Sequence, residues 1–305
     1  MEPISARIAV VSAVPPDKQK QEYMRITETL VRQETPWALR LVPPFPSVAR
    51  RIMALAGSDD SSAEQIGKLA KTDPSFSAEL LRFANSALFG ASRKINGLTQ
   101  AILLLGVDRV KTMASVVVMN RMVRSSVNIP TLRKVWIHSL ATALIAEEAA
   151  ARMRVSRDAG YTAGLLHNLG ALGLMSAYPN EYSRMLEVSR DFGFDLLNTE
   201  RDLFEIDHCA AGAWLAKEWD FPDELVEAIL AHHEGPTAGR TGLQSLVQIS
   251  WRLADTLGFA AVPDQEFTYR GLITYLAPAS GASWLRGDPD EARGELAARL
   301  AEAAA

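Results

Sequence analysis

Cysteine is almost absent from this chain of 305 residues, which contains only Cys209. A single thiol excludes an internal disulfide and is typical of a protein in a reducing compartment. Long apolar runs are missing too, since stretches such as Ala114–Met119 are far shorter than the roughly 20 residues that span a bilayer. Glu2 and the short apolar stretch Ile8–Val14 make a poor signal peptide. The sequence therefore predicts a cytoplasmic protein without a membrane span.

An excess of basic charge is also lacking, because 36 acidic residues outnumber 32 basic ones and the net charge is −4. A broad nucleic-acid surface normally shows as a basic stripe. The helix–glycine–helix pattern around Gly106 does not alter this, since Leu103–Val118 is too apolar for a DNA-recognition helix. We therefore expect no DNA partner.

Scattered basic residues in the first part of the chain leave a nucleotide or phosphate ligand open as an alternative to an ordinary solvated face. They are Arg51, Lys68, Lys71, Arg82, Arg93 and Lys94.

Strand-like alternation is nearly absent as well and is confined to Arg7–Val14. Elsewhere apolar residues recur at helical spacing, between caps, prolines and glycines that mark helix ends. Ser62 with Gln65 forms a capping box, and Asp73 precedes a first-turn proline. Gly106 marks a break between two helices. Because 48% of the residues are apolar, the chain can bury a large core. The sequence predicts an all-α, two-lobed helical bundle.

The polar segment Arg121–Pro130 is the best boundary between the two lobes. Pro130 then begins a long helix that reaches Met153, and a second helix runs from the Ser156 cap to the residue before Pro179. The predicted organisation is an N-terminal arm at 1–20, an N-terminal helical lobe at 21–125, a second helical lobe at 126–275 and a C-terminal helical tail at 276–305.

All five histidines lie in the second lobe, and the first 137 residues contain none. The predicted helices place His138 and His167 in the interiors of two successive helices. His208 stands at the start of a later helix, and His232 with His233 at the end of the next one. One helix further on, the sequence places Asp255.

Helices that bring several imidazoles and a carboxylate together can form an internal metal site. Imidazole suits zinc, iron, copper or nickel. The candidate cofactor is a single divalent transition metal, namely iron, manganese, zinc or nickel. Each histidine also has an ordinary alternative: His208 fits a first-turn surface residue, and the others fit hydrogen-bonded core positions or a helix C-terminus. The candidate metal ligands are His138, His167, His208, His232, His233 and Asp255.

The order of these residues and the segments around them resemble the HDOD family, bacterial domains related to the HD superfamily of metal-dependent phosphohydrolases. The collinear stretches that carry the resemblance are Leu41–Leu55, Thr72–Gly90, Ile95–Ala114, His138–Ala150, Tyr161–Leu174, Glu205–His233 and Ala254–Gly258. The resemblance implies an all-helical, two-lobed signalling module. Its implied partners act in trans and are a response regulator, a diguanylate cyclase or a kinase.

Four features depart from the pattern of an active HD enzyme. The aspartate of the His-Asp pair, which holds metal and often bridges two ions, is replaced by Asn168, whose neutral oxygen is a poor bridge. The HD-GYP subgroup, which hydrolyses cyclic di-GMP, has a lysine where this chain has Ala171 and a glutamate where it has Lys134. No Gly-Tyr-Pro follows the histidine pair in His232–Gly239.

These departures predict a non-catalytic signal-transduction module that binds partner proteins or a small ligand. The alternative is a metal-dependent phosphohydrolase of altered activity, such as a nucleotide or cyclic dinucleotide phosphodiesterase.

Overall fold

The computed structural model of the protein describes residues 34–55, 62–85, 95, 97–262, 267–276, 278, 283–286 and 288–304. Within these ranges the chain forms helices and no strand, which confirms the predicted all-α class. None of the helices described there combines the length and the apolar character needed to cross a bilayer. The predicted arm at 1–20 and the strand-like stretch Arg7–Val14 lie outside the described residues.

Fifteen α-helices lie in the described part of the chain, five of them before the predicted lobe boundary. These five are α1 (Ser47–Leu55), α2 (Ala63–Ala70), α3 (Pro74–Ala84), α4 (Leu98–Leu105) and α5 (Val107–Val123). The other ten are α6 (Pro130–Ala149), α7 (Arg157–Leu166), α8 (Leu169–Ala177), α9 (Pro179–Phe192), α10 (Leu196–Phe204), α11 (His208–Glu218), α12 (Asp223–Leu230), α13 (Leu243–Ala254), α14 (Tyr269–Ile273) and α15 (Pro289–Ala304). Shorter helical turns lie at Trp37–Leu39, Ser126–Asn128, Ala150–Met153, Asp255–Phe259 and Trp284–Arg286.

Local signals in the sequence account for several helix ends. The Ser62 side chain accepts a hydrogen bond from the Gln65 backbone while the Gln65 side chain accepts one from the Ser62 backbone, which confirms the capping box of α2. Asp73 caps α3 by accepting from a backbone N–H three residues on. Pro130 opens α6, and Gly106, with a φ of 82°, separates α4 from α5.

Helix α6 is the central rod of the fold. Most of its side chains are buried, and it packs against α7, α13 and α15. One continuous apolar core extends from α1 through α5 into the helices that follow. Arg109 on α5 adds a polar link, since its guanidinium donates to Glu147 of α6 at 3.0 Å and to Asp158 of α7 at 2.9 Å. Because core and ion pairs cross the predicted boundary, the division into two lobes stays a prediction.

The single helix predicted to run up to Pro179 is wrong. The chain forms two helices there: His167 follows the last residue of α7 instead of lying in a helix interior, and Asn168 precedes the first residue of α8. The reason is tertiary packing: Gly164 on α7 lies against the backbone of α6, whereas Gly170 on α8 lies against the backbone of α11. Because of the break, α7 packs closely against α6 while α8 packs closely against α11.

The close approach at Gly170 generates a stability prediction. A Cβ at this position would collide with the carbonyl of His208 and lie 2.5 Å from the backbone nitrogen of Gly212. We expect Gly170→Ala to lower the free energy of unfolding by about 1–3 kcal/mol, the usual cost of overpacking. Urea unfolding measures the change.

The matched control is Gly294→Ala on α15, where an added Cβ would meet nothing within 4 Å. That variant should be neutral or more stable by up to about 1 kcal/mol, because alanine favours a helix over glycine. Equal stabilities of the two variants would contradict the packing described at Gly170.

Candidate metal centre

The five histidines converge on one site in the second half of the fold. The ring centroids of His138 and His167 lie 5.4 Å apart, and those of His167 and His232 lie 5.0 Å apart. The ring of His208 lies 5.2 Å from His232 and 4.9 Å from His233 by the same measure. The imidazoles therefore form an unbroken series of contacts.

Four separate parts of the chain deliver these rings. His138 lies in the interior of α6, and His167 lies at the break between α7 and α8. His208 is the first residue of α11, and His232 with His233 follows the end of α12. The alternative of a first-turn surface residue is wrong for His208, whose exposed fraction is only 2%.

A buried carboxylate that the sequence analysis missed, Glu200 of α10, holds His208 in place. Its Oε2 accepts a hydrogen bond from Nδ1 of His208 at 2.7 Å and another from the His208 backbone N–H at 2.8 Å. Its Oε1 accepts from the Tyr182 hydroxyl at 2.6 Å. Both carboxylate oxygens are thus used, and Nε2 of His208 is left for the cluster.

Backbone carbonyls fix two more rings. Nδ1 of His167 lies 2.7 Å from the carbonyl oxygen of Gly164, and Nδ1 of His232 lies 2.6 Å from that of Ile229. Because a carbonyl only accepts, Nδ1 must carry the proton in each neutral ring, and Nε2 carries the lone pair.

The turn after α13 holds His138. Its Nδ1 lies 3.2 Å from the carbonyl oxygen of Phe259 and 3.3 Å from Oδ1 of Asp255. Asp255 therefore lies against His138, and its role as a ligand stays a prediction. A different set brings its ligating atoms within 4.8 Å of one another: His208, Cys209, His232 and His233.

The Nε2 atoms of three histidines lie especially close together. Nε2 of His208 is 3.2 Å from Nε2 of His232 and 3.1 Å from Nε2 of His233. Two facing lone pairs at this distance repel each other. The arrangement therefore needs a positive charge at its centre, either a proton on His208 or a metal ion.

Burial and Glu200 together determine the protonation of the cluster. Burial opposes a charge on His208, but the Glu200 carboxylate outweighs it and raises the pKa of His208 well above its usual value. Burial lowers the pKa of His138 to about 4. Burial, with repulsion from neighbouring cations, holds the pKa values of the other three rings well below the usual range. One imidazolium thus lies among four neutral rings.

Two side chains of α13 donate hydrogen bonds to the turn that carries His232 and His233. The indole nitrogen of Trp251 donates to the carbonyl oxygen of His232 at 2.6 Å. Arg252, only 4% exposed, donates to the carbonyls of His232 at 3.3 Å and His233 at 2.9 Å. The sequence analysis missed both residues because they contact this turn only through the tertiary fold.

The remaining candidate positions differ in their surroundings. Cys209 is buried with its Sγ 3.8 Å from Nδ1 of His232, and burial raises the pKa of this thiol to about 11, so it stays protonated near neutral pH. Asn168 and Ala171 are buried at the start of α8. Lys134 is exposed on α6, one turn before the first histidine.

A helical domain built around buried histidines is the general class that the fold and the site define. Within that class, the HDOD domain family matches residues 42–235, and the chain belongs to this family. An uncharacterized protein of Treponema pallidum (strain Nichols) is 25% identical over 200 residues, which cover 65% of this chain and 38% of that protein. The chain thus spans well under half of the length of this relative.

Solved structures share the fold. A candidate signal transduction protein from Marinobacter aquaeolei VT8 superposes with a TM-score of 0.65 and 21% identity, over 97% of this chain and 66% of that chain. A candidate phosphohydrolase from Shewanella amazonensis SB2B does so with a TM-score of 0.61 and 21% identity, over 91% of this chain and 96% of that chain. At these identities the likeness concerns the fold alone.

The four neutral histidines of the cluster predict a pH-dependent stability. In the unfolded chain their rings bind protons near the usual histidine pKa of about 6.5, whereas the folded protein keeps their pKa values lower. The free energy of unfolding should therefore fall as the pH drops below about 6.5, by up to about 1.4 kcal/mol per pH unit for each ring. His208 has the opposite effect on stability. Its raised pKa stabilises the folded protein at low pH, and this contribution is lost as the pH rises through the pKa of His208 in the folded state. Urea unfolding with a chelator at several pH values measures the slope.

The matched variant is His167→Asn, whose amide can still donate toward the carbonyl of Gly164. Without a titrating ring, it should reduce the slope below the usual histidine pKa by the contribution of one histidine. Identical slopes in the two proteins would show that His167 is not held neutral by the fold.

Proposed function

We propose that this chain is a non-catalytic signalling module whose histidine cluster binds one divalent transition metal through Nε2 of His208, His232 and His233. The observation that carries the proposal is the contact of these three Nε2 atoms at 3.1 and 3.2 Å from His208. Imidazole nitrogens crowded in this way suit a shared cation.

The spacing of the nitrogens fits such an ion. Zinc and similar ions lie about 2.0–2.1 Å from imidazole nitrogen, so two nitrogens on one ion are about 3.0–3.4 Å apart. The separations around His208 fall in this range. Cys209 is a poorer candidate ligand, because its protonated thiol lies beside Nδ1 of His232 rather than Nε2.

The outer nitrogens support the same proposal. Histidines that bind metal generally donate their other ring N–H to a carboxylate or a backbone carbonyl, which fixes the ring and its tautomer. His208 does this through Glu200, and His232 does it through Ile229. These hydrogen bonds therefore orient the rings of His208 and His232 before an ion binds.

The residues around the cluster favour binding over hydrolysis. A metal pair in an HD-type hydrolase would supply Lewis-acid activation of a phosphate and of a water molecule. That chemistry needs an anionic bridge, and Asn168 offers a neutral amide in the position of the aspartate. The lysine of the cyclic di-GMP hydrolases is replaced by Ala171, and their glutamate is replaced by the exposed Lys134.

Family membership supports the signalling part of the proposal. The fold is shared with a protein named as a candidate signal transduction protein. We therefore propose a cytoplasmic protein that acts on a response regulator, a diguanylate cyclase or a kinase in trans. The second candidate function is a phosphohydrolase of altered activity, favoured by the convergence of all five histidines, four of them buried, with Asp255 against His138.

Metal uptake should be accompanied by proton release. At neutral pH without metal, the raised pKa of His208 places a proton on the ring nitrogen that the ion would take. We expect one equivalent of Zn²⁺ or Mn²⁺ per chain and about one proton released per ion, since ligands must be deprotonated to bind. Calorimetry in buffers of different ionisation enthalpy measures both numbers.

Glu200→Gln tests the role assigned to the buried carboxylate. The amide keeps the shape but loses the charge, so the pKa of His208 should fall, fewer protons should be released, and affinity should drop by about 10–100-fold. Glu218→Gln, on the exposed end of α11, is the control and should behave like the parent protein. Absence of stoichiometric metal in the parent protein would overturn the proposed site.

Hydrolysis provides a separate test of the non-catalytic assignment. Metal-loaded protein should not turn over cyclic di-GMP or bis(p-nitrophenyl) phosphate. Asn168→Asp restores the anionic group and should raise metal uptake above the parent level, as measured by elemental analysis. Turnover by the parent protein that is lost in His167→Ala would favour the phosphohydrolase instead.

A further inference from the structure

A cleft of about 500 Å³, with no histidine in its lining, is formed by residues of α3 and α5 together with residues of the helices that follow. Helices α3 and α5 contribute one side, α6 contributes another, and α15 lines it with Ala297, Leu300 and Ala301. Its volume is within the range of small-molecule sites, which is about 300–1,000 Å³.

The polar lining of the cleft has one sign of charge. Arg82 and Arg133 line it together with the amides of Asn120 and Asn128. Among the residues that the structure places around this cleft, there is no aspartate or glutamate. In a chain with a net charge of −4, such a lining selects for an anion.

The apolar lining includes an indole ring. Trp136 of α6 lines the cleft beside Ile137 and Leu140, and its indole is only partly buried. Indole faces bind planar rings by stacking, a contact worth about 1–3 kcal/mol for a nucleic-acid base. Amide side chains such as those of Asn120 and Asn128 can donate to and accept from the polar edge of such a ring.

We infer that this cleft binds a nucleotide, with its base against Trp136 and its phosphate near Arg82 and Arg133. Guanidinium groups suit phosphate because they present paired N–H donors to its oxygens. A nucleotide combines an aromatic ring, which suits the indole, with an anionic phosphate, which suits the guanidinium groups. The inference does not depend on whether the histidine cluster binds metal.

The position of the cleft suggests how a bound nucleotide would affect the histidine cluster. Phe259 lines the cleft, and its backbone carbonyl lies 3.2 Å from Nδ1 of His138. Displacement of this turn by a ligand would change the hydrogen bond that orients His138. The cleft and the histidine cluster thus share one structural element.

Binding of GMP and AMP to chelator-treated full-length protein tests the inference. Saturable binding by calorimetry and quenching of tryptophan fluorescence that is lost in Trp136→Phe are expected. Ala297→Trp places a bulky side chain into the cleft and should weaken binding at least about tenfold. Ala298→Trp, the neighbouring exposed position outside the cleft lining, is the matched control and should bind normally.

A charge reversal gives a second test if Ala297→Trp does not fold. Arg133→Glu, at an exposed position, should weaken binding at least about tenfold through loss of a charge-assisted contact. Lys217→Glu, an exposed position outside the cleft lining, should not. No saturable binding of either nucleotide, binding unaffected by Ala297→Trp and Arg133→Glu, or binding of a naphthalene sulfonate but of no nucleotide would each overturn the inference.

Discussion

The histidine site depends on one electrostatic constraint, the need for a single positive charge among closely packed imidazoles. Burial keeps most of these rings neutral, and the Nε2 atoms of His232 and His233 lie against Nε2 of His208. Only Glu200 supplies a counter-charge by direct contact with one of these three rings in the described structure, through Nδ1 of His208. The central charge is therefore localised at His208, and a proton or a metal ion can satisfy the same geometry.

The scaffold holds these rings through groups that do not titrate near neutral pH. Backbone carbonyls orient His167 and His232, and the side chains of Trp251 and Arg252 hold the turn that carries His232 and His233. Such fixed partners limit the rearrangement that a bound ion would require. The break between α7 and α8 belongs to the same scaffold, since it places His167 at a helix end within ring contact of its neighbours.

Membership in the HDOD family and the chemistry of position 168 fit together. A carboxylate there would add a second anion near the cluster and favour a second cation, whereas the amide of Asn168 adds none. The proposed outcome is a site that retains imidazole ligands without the charge that a two-metal hydrolase requires. A cleft with arginine, amide and indole side chains, linked to His138 through Phe259, offers such a module a place for a ligand.

The sequence by itself determined the all-α class, the family, several helix ends and the set of histidines, because these depend on local periodicity, capping and motif order. The capping box at Ser62 and the break at Gly106 are examples of signals contained within a few residues. Only the tertiary structure decided the helix break at His167, since it results from Gly164 and Gly170 packing against different helices. It also decided which residues contact the histidines, such as Glu200 and Arg252. A contact between two helices cannot be predicted from the hydrophobic periodicity of either helix.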